Sequence, residues 1–306
     1  MDYAKQYPHE ELPKLWYIDK VVRQAGLQTK KLKQKKSGGS EYLLYPVQCI
    51  RNLGYVHQSA DFIGKKYITG SPDPVNIFSS SYYSPFKLYQ IKRILAEKSL
   101  YVIEQWKEQW RVYPMPDVER LDNGLQFRGS GSGKRVLGMV LRFLLNLNVT
   151  PLFGSPSKPW TNPHIEGHNR VFNEKVWGTN WFTDLSQIDT ECNRFNEESL
   201  EYFHYKYAQL IFNGDFRYLE RDQNIRTDVL ETKQGKKVYF TRFVESFEKQ
   251  APGRITVMNE IIALPEKYTH QFVFVEWDIE KERINIYSEF GKVITLVRSV
   301  RFRLNL

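Results

Sequence analysis

Between residues 55 and 83 apolar and polar positions alternate in three short bursts, "YVHQSADFIG", "KKYITG" and "VNIFSSSYY". Period two predicts strands, with a turn between the first pair. The period then lengthens. "FKLYQIKRILAEKSLYVIEQWKEQW" (86–110) has Ile94, Val102, Ile103 and Trp106 at helical intervals and predicts one long helix. "DVERLD" (117–122) predicts a short strand after a Pro-bounded turn, "GKRVLGMVLRFLLNLN" a second helix, and "VTPLFG" a brief strand. Pro/Ser-rich "SPSKP" leads into "WTNPHIEGHNRVFNEKVW" (160–177), where Asn162 suits an N-cap and Pro163 the first helical position. The order β-β-β-α-β-α-β-α predicts a mixed α/β sheet with helices on its faces.

The flanks differ. Residues 235–306 hold six short alternating segments, from "KKVYFTRFV" to "KVITLVRSVRF", rich in Val, Ile, Phe and Tyr. Their spacing suits a small β-barrel, separable from the rest. At the other end, Leu12, Leu15, Ile18, Val21, Val22 and Ala25 keep a helical period between Pro13 and Gly26. Lys30, Lys31, Lys33, Lys35 and Lys36 follow, then Gly38 and Gly39. This run is a linker by composition, and its five ammonium groups also suit a phosphate-tracking arm. The predicted organisation is therefore 1–40, helical segment and Lys-rich linker; 55–205, α/β core; 235–306, barrel.

Charge sharpens this division. The 306 residues carry a formal net charge of +9, of which residues 1–40 hold +5, 235–306 hold +3 and the long middle only +1. A nearly neutral centre between basic ends points to a catalytic body with nucleic-acid-gripping arms. Only Cys49 and Cys192 occur, without a CxxC, which argues against a disulfide framework or structural zinc and for a reducing compartment. The N-terminus is too polar for a signal peptide, and the most apolar stretch (136–149) is short and interrupted by Arg142, so no membrane span is expected.

The candidate chemistry begins with Glu166. It stands four residues past the predicted N-cap, and Asn169, Arg170 and Asn173 follow at helical spacing on one polar stripe. Alone, such a stripe is a solvated face, and a first-turn Glu complements the helix dipole. Asp61 lies in the first predicted strand and Asp122 ends the fourth, opening "DNGLQF", a strong turn signal in any protein. If strands one and four are neighbours, the three acids can meet at one edge of the sheet. His164 and His168 flank Glu166, but H-x-E-x-H is not the zinc-protease pattern. "GSGSGKR" lacks the residues a phosphate-binding P-loop requires.

The phrases "HQSADFIG", "DNGLQFRG" and "SPSKPWTNPHIEGHNR" together resemble the integrase-like DDE transposases of bacterial insertion sequences, relatives of retroviral integrases. The resemblance spans most of the chain. It implies an RNase H-like catalytic core over 55–205, an N-terminal helix-turn-helix remnant and a C-terminal small β-barrel. It implies that Asp61, Asp122 and Glu166 are the catalytic acids and hold two Mg²⁺ (or Mn²⁺) ions, with Asp61 bridging them. Asn169, Arg170 and Asn173 would meet the DNA backbone, together with the five lysines. The implied partners are double-stranded DNA, as element ends and target, and further copies of the chain on that DNA, in the cytoplasm. The implied activity is metal-dependent strand cleavage and strand transfer. Two features depart from the family. The 44-residue interval from Asp122 to Glu166 is longer than usual, with the excess placed in "RGSGSGKR", and the chain starts late. The alternative is accordingly a truncated or domesticated transposase that binds DNA without catalysis.

Overall fold

In the computed structural model, the structure describes residues 45–129, 133–246 and 252–305, together with Val21, which is helical. The expected helix at 11–26 (apart from Val21), the lysine run 30–36 and the middle of the Gly/Ser loop lie outside the described residues. The chain forms two compact units, Met1–Tyr42 and Leu43–Leu306, and all the strands among the described residues belong to the second.

Three antiparallel strands come first: β1 (His57–Tyr67), β2 (Pro74–Ser84) and β3 (Leu88–Ile94). Helix α1 (Val47–Arg51) precedes them, and its Gln48 and Cys49 amides donate to the Glu289 carboxylate. Helix α2 (Ser99–Trp110) leads to β4 (Val118–Leu121); a short α3 (Leu125–Arg128) and α4 (Met139–Asn146) lead to β5 (Thr150–Phe153). β4 pairs in parallel with both β1 and β5. All four β4 residues are buried, as expected of a parallel strand covered on both faces.

One face carries α2 and α4, where Trp106, Trp110 and Phe143 stack on one another, with ring centroids of Trp106 and Trp110 5.4 Å apart. The opposite face carries α5 (Pro163–Phe172), continued by a π-helical turn (Asn173–Trp177), and α6 (Leu185–Asn213), capped by the Asp184 carboxylate. Phe172, Val176, Ile188, Cys192 and Phe195 pack there against Ile63, Ile77 and Ile91. Cys49 and Cys192 are both buried free thiols.

Two expectations are corrected. The stretch 86–110 is a strand and a helix, not one helix. Leu88, Ile91 and Ile94 keep an i, i+3 spacing that imitates a helix, but residues 88–94 pair with β2. α6 stabilises this edge strand: the Asn196 amide accepts from Ile91 N–H and donates to Ile91 C=O, both at 2.8 Å. Likewise "YVHQSADFIG" and "KKYITG" are not two strands with a turn between them: His57–Tyr67 is one strand running across both.

The second correction concerns 235–306. All six segments are strands: β6 (Lys237–Phe243), β7 (Gly253–Val257), β8 (Glu260–Leu264), β9 (Phe272–Asp278), β10 (Arg283–Phe290) and β11 (Val293–Arg301). Among the described residues they close no barrel. β6 pairs in parallel with β5, and β9, β10 and β11 continue outward, giving one mixed sheet of nine strands in the order β11-β10-β9-β6-β5-β4-β1-β2-β3. β7 and β8 form a separate hairpin. Alternation along each strand reports a half-buried sheet and is equally compatible with a barrel or with growth of an existing sheet. No described helix is long and apolar enough to cross a membrane.

Candidate active site

The parallel pairing of β1 with β4 sets Ala60 opposite Leu121. Asp61 and Asp122 are the next residue of each strand, so the register itself brings the two acids to one place. α5 crosses the same edge with Glu166 in its first turn. Asp61, Asp122 and Glu166 line one open cavity of about 520 Å³, with Asn123, Lys158, Asn162 and the Gly154–Ser157 turn.

The two aspartates are each held by a local device. Asp61 Oδ1 accepts from Phe62 N–H at 2.8 Å, and Oδ2 from Asn169 Nδ2 at 3.3 Å. Asp122 Oδ1 accepts from Gly124 N–H at 2.8 Å, the Asx turn that Asp-Asn-Gly favours. Asn162 precedes α5, but its side chain does not cap the helix. Its Nδ2 donates instead to Ser59 Oγ at 2.7 Å, which ties the start of α5 to β1 two residues from Asp61.

The three acids are not electrostatically equivalent. Burial, and then the Asp122 and Glu166 charges, push the Asp61 carboxyl up to about 7, against the opposing pull of Phe62 N–H. Asp122 is raised by loss of water from its surroundings, against the bond from Gly124 N–H. Among the described residues no three His, Cys, Asp or Glu side chains are gathered so as to hold an ion by themselves.

The polar stripe is divided. Asn169 is buried and turned inward onto Asp61, which removes it from the set of outward phosphate contacts expected of it. Arg170 is exposed and lies 3.9 Å from the Glu174 carboxylate on the next turn. Asn173 opens the π-helical turn, and its Oδ1 is buried without a partner. His164 and His168 go separate ways. His164 stacks on Tyr83, whereas His168 is fully buried between Tyr89 and Phe195 with Nδ1 3.1 Å from Ser79 Oγ.

Two residues escaped the sequence reading. Arg242 of β6 is buried and donates to Gly154 C=O at 2.7 Å, Thr256 C=O at 2.8 Å and Asn123 Oδ1 at 2.9 Å. Asn123 Nδ2 donates to Gly154 C=O at 2.8 Å. The turn after Asp122 is thereby clamped to the end of β5 by a strand from the C-terminal region. The available signal was an arginine in the otherwise apolar "VYFTRFV". Lys158, the cation of "SPSKPW", lines the acid cavity and lies over the Phe243 ring.

No family model matches the chain, and no curated protein matches it. Among solved structures, the catalytic core domain of BIV integrase aligns at 16% identity over 49% of this chain and 97% of that one, with a TM-score of 0.33. A simian T-cell lymphotropic virus intasome in complex with the PP2A regulatory subunit B56 gamma aligns at 9% identity over 80% of this chain and 76% of that one, with a TM-score of 0.37. At such values the likeness carries nothing about activity or partners.

Proposed function

We propose that this chain is a DDE-type polynucleotidyl transferase that cuts and joins DNA strands, an integrase-like transposase with an RNase H-like core. One observation carries the reading: three carboxylates from β1, the end of β4 and the first turn of α5, distant in sequence, line one solvent-open cavity. Hard oxygen donors of this kind suit Mg²⁺ or Mn²⁺. The raised Asp61 carboxyl supports the same fit, because a bound divalent cation offsets both the burial of a carboxylate charge and the repulsion of its acidic neighbours.

In this reading Asp61, Asp122 and Glu166 would hold the ions. Two such ions, when bound, activate the attacking oxygen and stabilise the leaving one. The chain's own residues do the rest. Phe62 N–H and Asn169 hold the Asp61 carboxylate in place, Gly124 N–H holds Asp122, and the Arg242–Asn123 clamp fixes the turn after Asp122. Lys158 supplies positive charge at the cavity wall for a phosphate, and Arg170 stands exposed one helical turn beyond Glu166 for the DNA backbone.

The test is strand joining with labelled duplex oligonucleotides, with Mg²⁺, with Mn²⁺ and with chelator. Joined product that depends on the metal and on all three acids supports the reading. DNA binding without cleavage or joining in either ion overturns it and leaves the non-catalytic DNA-binding alternative.

A further inference from the structure

A second cavity, of about 720 Å³, lies against the first. The two share Thr161, and the start of α5 divides them: Pro163 and His164 line the second, Asn162 and Glu166 the first. His164 and Glu166 are two residues apart, about 3 Å of helical rise. The second cavity has aromatic walls from Tyr45, Tyr55, His57, Tyr83, Trp160 and His164. Tyr83 and His164 stack face to face, with centroids 4.5 Å apart and planes 3° from parallel. Trp160 and Tyr55 are more than half exposed.

The charge of the lining has one sign. Arg51 and Arg120 are its ionisable cations, and no carboxylate lines it. Arg120 is 4% exposed, and among the described residues it has no acidic partner. It donates to Tyr45 Oη and Thr161 C=O, while its Nε is buried without a partner. Burial, and also the Arg120 charge, hold His57 below the ordinary imidazole range. His57 Nε2 lies 2.8 Å from Gly54 C=O and must donate to it, which leaves Nδ1 to accept from Tyr83 Oη. A flat aromatic slot with a buried guanidinium and no carboxylate favours a planar heterocycle carrying hydrogen-bond acceptors and an adjoining phosphate.

We propose that this cavity holds a single unpaired nucleobase of the DNA substrate, extruded beside the phosphodiester that occupies the acid cavity. The inference rests on the proposed reading of the chain as a DNA strand transferase. A stacked duplex offers no free base face, so occupancy requires local opening of the strand, and aromatic stacking with contacts from Arg120 compensates that opening. His164, Trp160 and Thr161 would then couple base capture to the placement of α5 and Glu166.

The experiment uses the full chain and two readouts. Duplexes carrying 5-iodouracil at single successive positions are irradiated with the protein, and adducts are mapped by peptide mass spectrometry. The expected result is an adduct on Tyr55, Tyr83, Trp160 or His164 from one position only. In parallel, affinity is compared between a fully paired duplex and the same duplex with that base unpaired. The parent should prefer the unpaired form by about tenfold. Trp160→Ala and His164→Ala, both at exposed positions, should abolish the preference, and His164→Phe should keep it. Adducts only elsewhere, or a preference that survives both alanine variants, would overturn the pocket. Absence of metal-dependent joining by the parent would instead overturn the strand-transferase reading, and the preference for unpaired DNA would still report on the pocket.

Discussion

Asp61→Asn should make the cation-free protein more stable, and increasingly so as pH rises. The Asp61 carboxyl is raised from 3.8 to about 7 by burial and by the neighbouring acids. The unfolded chain ionises this group first, so the folded state holds the extra proton between those limits. Stability conferred by the parent side chain is therefore present at low pH and is lost as pH rises from about 4 to about 7, then stays level. A shift of about three units sets a ceiling on the order of 4 kcal/mol. The amide carries no such cost. Its oxygen can keep the bond from Phe62 N–H, and Asn169, whose Oδ1 is buried without a partner, can turn that oxygen to the new NH₂. Urea unfolding with chelator should show Asp61→Asn above the parent by several kcal/mol at about pH 8, by roughly 1–2 kcal/mol at about pH 5, and by little at about pH 4. Mg²⁺ should narrow the gap at high pH, because it stabilises only the parent. A variant equal to or weaker than the parent at pH 8, or a gap that does not change with pH, would refute the idea that burial and acidic neighbours make an ionised Asp61 costly in the cation-free fold.

Glu166→Gln should abolish joining and leave nonspecific DNA binding intact, whereas Glu174→Gln, which touches only the exposed Arg170 at 3.9 Å, should change joining less than about twofold; an oligonucleotide joining assay compares them. Asn123→Ala leaves an Arg242 N–H without its partner and Gly154 C=O with the Arg242 donor alone and should cost about 1–3 kcal/mol in urea unfolding, where a loss below about 0.5 kcal/mol would deny the clamp. Burial holds His168 down to about 3, so the unfolded chain takes up its proton first and the parent loses stability as pH falls below the ordinary 6.5; His168→Phe keeps the stack on Tyr89 and should flatten that part of the pH profile. Deleting 235–306 strips β6 from β5 and removes Arg242, so the remainder should lack a cooperative unfolding transition by circular dichroism, whereas a folded, joining-competent core would show that these strands are dispensable.

The elements that were legible in the sequence are those with one dominant period. β2 and the six C-terminal strands were read from apolar alternation, β4 and β5 as short segments set off by turn residues, and Asn162-Pro163 marks the start of α5. The pairing of β1 with β4 followed from the α/β order and was enough to bring Asp61 and Asp122 together. What failed was long-range. Whether residues 88–94 are strand or helix depends on β2 and on Asn196, 105 residues from Ile91. Whether 235–306 curls on itself or extends the core depends on the open edge of β5, which alternation does not encode. On α5, spacing placed Asn169 beside Arg170 on one polar stripe, but a helix packed on a sheet has an inner margin where a polar residue can be buried if it finds a partner, and Asn169 found Asp61.

The charges around the site form a consistent arrangement. Three acids line one cavity, and two buried arginines hold residues of its wall, Arg120 through Thr161 and Arg242 through Asn123 and Gly154, yet neither forms an ion pair with a carboxylate among the described residues. Their donors go to carbonyl and side-chain oxygens: Thr161 C=O and Tyr45 Oη for Arg120, and Gly154, Thr241 and Thr256 C=O with Asn123 Oδ1 for Arg242. An arginine bound directly to Asp61 or Asp122 would hold the acid firmly, but it would occupy the lone pairs that a cation needs and lower the negative potential that attracts it. Binding the segments that carry the acids gives the same rigidity without neutralising them. Burial and the nearby Arg128 bring Arg242 down to about 9, so it remains a cation at neutral pH. The site can thus be stiff and negative together, with its positive charge one layer behind, against the Thr161 and Gly154 segments that the phosphodiester of a DNA strand would pass.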